Sequence, residues 1–142
     1  MPQIFVDTDN SDPKDKLFVG TKAGGAKAEE KMQKVVIRII GKTDGFTTDP
    51  KVSKKGYAIR LTVSKVEVGD HETKCAVSGS LVRRPREKVK GGEGEVMVST
   101  SMGGSGKVNG TDDGAILDCV EAISEDLVKK SIKYMKEDWT KR

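Results

Sequence analysis

From Ala115 to about Lys136 the apolar side chains fall on one helical face, and this stripe restricts the fold more than any other stretch. Ile116, Val120, Ile123, Leu127 and Tyr134 recur at helical spacing, flanked by Cys119, Val128, Ile132 and Met135. So broad a stripe has to be buried against other elements. Acids come early (Asp118, Glu121, Glu125, Asp126) and lysines late (Lys129, Lys130, Lys133, Lys136), the order that complements the helix dipole.

The preceding sequence supplies strands to cover. Tyr57, Ile59, Leu61 and Val63 alternate with Ala58, Arg60, Thr62 and Ser64, which predicts a half-buried strand. Val66 and Val68 fall on the opposite parity, so a bulge is expected near Ser64 and Lys65. After a turn at 68–73, Cys75, Val77, Gly79 and Leu81 restart the alternation, giving a long hairpin. Residues 95–101 read as a further strand with Val96 and Val98 inward. Over Met32–Ile40 two periods compete. Helical spacing runs from Met32 to Ile40 and stops at Gly41, but five of the six residues 35–40 are β-branched. We read 35–40 as a strand on that ground, with a short helical turn at 26–32.

The expected fold is therefore α+β: about four mostly antiparallel strands in one sheet, one face covered by the long C-terminal helix. Residues 1–25 read as a flexible polar segment with apolar islands at 4–6 and 17–19, and 26–142 as one domain. A chain of 142 residues is long enough to bury a core of its own. No run approaches the roughly 18 apolar residues of a membrane span, and the N-terminus lacks the charged start and apolar centre of a signal peptide. The compartment stays open: periplasmic or secreted if the sequence is a mature form, cytoplasmic otherwise.

The glycine-rich run "SMGGSGKVNGTDDG" (101–114) invites comparison with a phosphate loop. It fails at both ends, with Ser101 where the first Gly belongs and Val108 where the magnesium hydroxyl belongs. A structural loop leading to a helix capped by Thr111, Asp112 or Asp113 accounts for it. His71 is the single histidine and lacks the paired N and S ligands of a zinc site. The acidic run at 7–12 has Asp12 and Phe18 where a calcium loop needs Gly and Glu. No catalytic constellation, metal site or cofactor site is read, and the chain is expected not to be an enzyme.

Cys75 and Cys119 are too few to define a disulfide framework. Two buried apolar thiols account for them. The alternative is a candidate disulfide tying a strand to the C-terminal helix in an oxidising compartment.

Net charge is +4. The strongest candidate binding feature is the basic loop of Arg83, Arg84, Arg86, Lys88 and Lys90, interrupted by Glu87, Glu93 and Glu95. Such a cluster can meet nucleic-acid phosphates or an anionic surface, although no aromatic is interleaved for base stacking. The layout from 35 to 136 resembles, in element order, small α+β domains of bacterial envelope accessory proteins of the curli-secretion or penicillin-binding-protein-activator kind. The helix those domains place between their first two strands is missing from this reading, and no residues are transferred. The expectation is a soluble, non-enzymatic interaction or assembly domain, of the bacterial envelope if exported, with a protein partner or self-association. The alternative is a small nucleic-acid-binding protein using the 83–90 loop.

Overall fold

The computed structural model describes residues 3–21, 25–89 and 92–142. In chain order its elements are β1 (Ile4–Asp7), β2 (Phe18–Val19), α1 (Gly25–Gly41), β3 (Phe46–Thr47), β4 (Gly56–Val68), β5 (Glu72–Arg84), β6 (Glu87–Val89), β7 (Gly92–Gly94), β8 (Met97–Asn109) and α2 (Asp113–Trp139). The long hairpin is β4–β5, antiparallel from Gly56 opposite Arg84 to Val68 opposite Thr73. Its register shifts between Val63 and Lys65, where the alternation changes parity. Tyr57, Ile59, Leu61 and Val63 are buried and line the face that the helices cover.

The sheet has six strands rather than about four, and it is mixed. Its order is β3-β1-β4-β5-β8, with β2 also joined to β4. β1 runs parallel to both β3 and β4, and β2 runs parallel to β4. The segment 1–25, expected to be flexible, thus supplies two strands, one of them inside the sheet. Islands this short carry too little periodicity to read as strands. Burial decides the matter: Val6 and Phe18 are fully enclosed. Asn10 fixes the intervening loop, its Oδ1 accepting from the Leu17 and Phe18 amides at 2.8 and 2.9 Å.

Residues 35–40 are helix, not strand. Ala28, Met32, Val35, Val36, Ile39 and Ile40 are buried along one side of α1, while Ile37 is 42% exposed. A strand would have placed Ile37 on the same face as Val35 and Ile39. β-branching disfavours a helix by only a few tenths of a kcal/mol per residue, roughly a fifth of what burying an apolar side chain contributes. The stripe reaching back to Ala28 therefore wins. α1 lies between β2 and β3 in the chain.

The run 101–109 is strand rather than loop. β8 pairs with β5 from Met97 to Asn109, with irregular register near Leu81 and an unbroken one from Gly79–Met102 to Glu72–Asn109. Its glycines serve a close approach. A Cβ at Gly104 or Gly106 would lie 2.9 or 2.8 Å from the Ile123 side chain, so only glycine lets α2 sit this low on the strand. Gly110, with φ of 105°, makes the turn that follows. Asp112 then caps α2, its Oδ1 accepting from the Ala115 amide at 2.8 Å.

α1 and α2 pack side by side on one face of the sheet and share a single core with it. Arg38 pairs with Glu125 and Lys31 with Glu121 across the two helices. A disulfide joins Cys75 of β5 to Cys119 of α2, with Cα atoms 6.2 Å apart. The opposite face of the sheet is open around Thr62, Ser78, Ser105 and Lys107.

Candidate functional site

The arginines of the 83–90 stretch do not project as a basic loop. Arg83 and Arg84 still belong to β5, Arg84 is buried, and each of the three arginines faces carboxylates. Arg84 reaches Asp7 at 3.4 Å and Glu95 at 3.2 Å. Arg60 forks onto Glu95 at 2.8 and 2.6 Å and also meets Asp15. Arg86 pairs with Asp15 and lies 3.6 Å from Glu95. Three guanidinium groups thus meet Asp7, Asp15 and Glu95, and the formal charges cancel. Lys90 and the side chain of Lys88 lie outside the described residues. The cleft of about 430 Å³ beside the cluster is lined by Asp7, Asp9, Asp12 and Asp15 against Arg84 and Arg86, so its charge disfavours a phosphate.

Arg83 points to the helix face instead. Its Nε and Nη2 each donate to Asp138 at 2.9 Å, and the Tyr57 hydroxyl donates to the same carboxylate at 2.8 Å. The Arg83 hydrogen bonds hold the Asp138 carboxyl below the usual carboxylate range against the opposing effect of burial. Burial, and then the Asp138 carboxylate, push the Tyr57 phenol well above its ordinary value. Arg142 closes this corner. Its guanidinium lies 5.3 Å from the Tyr57 ring centre and 5.7 Å from that of Trp139, and it donates to the Gly56 carbonyl at 2.7 Å. Every strong donor and acceptor here is already matched, which makes it a fastening rather than a reaction centre.

The remaining candidates are dispersed. Lys107 lies on the open face of β8, 3.7 Å from Glu72. His71 is exposed in the β4–β5 turn, where its carbonyl accepts from the Gly110 amide. Among the described residues no three His, Cys, Asp or Glu side chains are grouped to hold a metal ion. No helix among them is long and apolar enough to cross a membrane.

What sequence reasoning missed is the outer edge of β8. The strand closes one side of the sheet, and no described residue hydrogen-bonds to its outer backbone. Over its 13 residues it carries one charged side chain, Lys107, and no proline. The opposite side of the sheet ends in β3 and β2, each two residues long. A signal was present: apart from Thr100, even positions from 96 to 108 hold only Val, Met or Gly.

No family model matches the chain, and no curated protein does. Solved structures similar to it include the following two. One is the hypothetical protein CT253 from Chlamydia trachomatis, 7% identical, with a TM-score of 0.54 over 94% of this chain and 98% of that one. The other is a PelC dodecamer from Paraburkholderia phytofirmans, 15% identical, with a TM-score of 0.42 over 89% of this chain and 86% of that one. The likeness to the Chlamydia protein shows a shared fold.

Proposed function

We propose that this chain is a non-enzymatic interaction and assembly domain that recruits its partner by strand addition. The observation that carries this is the outer edge of β8, a 13-residue strand paired on one side only, whose outward-facing backbone groups are unmatched among the described residues. Proteins ordinarily blunt such edges by keeping them short or by placing charges and prolines on them. β3 is blunted by its length, whereas β8 runs 13 residues with one lysine and with register shifts confined to its first half. Main-chain hydrogen bonds along an added strand provide affinity without a pocket. The Cys75–Cys119 disulfide supports an oxidising compartment, the bacterial envelope being one such setting. Nucleic-acid binding through Arg83, Arg84 and Arg86 is less well supported, since each already faces a carboxylate.

The test is the size of the protein in extracts of its own cells, compared with a β8 variant. Gly103→Lys with Ser105→Lys places two lysines beside the edge. A Cβ at Gly103 meets nothing closer than the Val77 carbonyl at 3.9 Å, and Ser105 is exposed. The wild type is expected in a complex larger than its own 15.4 kDa, and the variant at monomer size. A wild type sedimenting as a free monomer in extract would end the assembly reading.

A further inference from the structure

The two sheet edges differ so much in length that they restrict what β8 can pair with. We infer that β8 pairs with β8 of a second copy of this chain, antiparallel and about a two-fold axis, to form a closed dimer with one continuous twelve-stranded sheet. This rests on the strand-addition reading above and names its partner. Four observations on the chain carry it.

First, edge-to-edge growth in a head-to-tail manner would need two long edges, one accepting and one donating. On the far side β3 and β2 offer two residues each, and β8 offers thirteen. A β8-to-β3 contact forms only a fraction of the ladder that β8-to-β8 forms. Using the same edge twice is isologous and stops at two copies.

Second, charge fixes the direction. Lys107 is the one ionic side chain of β8. Parallel in-register pairing would set Lys107 beside its own copy, a like-charge neighbour that destabilises a sheet. Antiparallel pairing over the whole strand centres on Gly103 and places Lys107 opposite Ser99, Ser101 opposite Ser105, and Met97 opposite Asn109. No like charges meet.

Third, the positions near the axis are small. Ser101, Gly103 and Ser105 alternate on the open face, and all are at least partly exposed. Two copies can approach to ladder distance there without side chains colliding.

Fourth, the half of β8 from Met102 to Asn109 is held in place: it keeps an unbroken register with β5, and α2 lies close over Gly104 and Gly106. That half presents a regular outer row of backbone groups, and the register shifts are confined to residues 97–102.

The experiment uses the purified full chain with its disulfide intact. Sedimentation equilibrium over a concentration series reads the mass, and hydrogen exchange reads the β8 amides. The wild type is expected to approach twice 15.4 kDa, with β8 amides that slow as the dimer forms. Ser101→Lys with Ser105→Lys sets lysine opposite lysine across the axis, and should give a monomer. Ser101→Lys with Ser105→Glu sets lysine opposite glutamate, and should restore the dimer. Thermal unfolding of the dilute monomers shows whether each variant still folds.

A wild type that stays monomeric at its solubility limit overturns the second-copy proposal. Strand addition then survives only if the wild type still runs in a larger complex in extract, with β8 donated to another protein. A dimer indifferent to both double variants, or one whose β8 amides exchange at the monomer rate, also overturns it. In that case a different surface makes the dimer.

Discussion

The two ends of the β4–β5 ribbon are secured by different chemistry. At the end where the strands start and finish, Arg60, Arg84 and Arg86 meet Asp7, Asp15 and Glu95 on one face, and Arg83 meets Asp138 on the other. At the turn end, one disulfide and one close steric fit hold β5 and β8 beneath α2. The ionic end spreads its stabilisation over many contacts, so several partners remain when one is lost. Salt and acid weaken it where it is exposed. The covalent end is indifferent to salt and acid, and it depends on a single bond. A chain with 35% apolar residues has modest hydrophobic reserve, and each device fixes a place where strands from distant sequence must stay together.

Three changes separate the two ends. The largest effect is expected from Cys75→Ser with Cys119→Ser. Releasing a cross-link with a sequence separation of 44 should cost about 3–4 kcal/mol on the chain-entropy estimate, read as a lower midpoint in urea. Equal stability for the oxidised protein and the serine variant would show the covalent end to be dispensable, and the contrast would fail. Next is Arg84→Met, which removes the buried centre of the ionic end. Asp15 and Glu95 keep Arg60 and Arg86, while Asp7 loses the ion pair it makes with Arg84. The loss should be about 2 kcal/mol, the scale of a charged hydrogen bond, and smaller than that of the disulfide in the same titration.

The smallest is Asp138→Asn, about 1 kcal/mol at neutral pH. The folded state holds the Asp138 carboxyl below its unfolded value. Its stabilisation is therefore complete above the unfolded value, near pH 4, and is lost as pH falls through the folded one. The asparagine variant should show a shallower acid limb than the wild type. Parallel acid limbs would remove Asp138 from the account.

Sequence periodicity made the β4–β5 hairpin and α2 legible because each is long and presents one clean apolar face. α1 was misread because β-branching at 35–40 outweighed the longer stripe from Ala28. The first strands were hidden by shortness, since burial by distant residues makes β1 and β2. β8 was cut off at its glycines, which sequence alone reads as turn formers although Ile123 requires them here. The candidate site fared similarly. The arginines were visible, but their acids stand 77 residues away for Arg84 and Asp7, and 55 for Arg83 and Asp138. Nothing local announces such pairings.

The place of β1 between β3 and β4 bears on how the chain is made. β1 pairs with residues 46–47 and 56–58, so its slot does not exist until the ribosome has added about fifty further residues. At typical synthesis rates that interval is roughly three to ten seconds. Throughout it Ile4, Phe5 and Val6 have no partner, and they are then inserted between two later strands. Closing so long a loop is entropically slower than zipping the β4–β5 hairpin. β1 is thus made before both strands that flank it, and is among the last of the three to be seated.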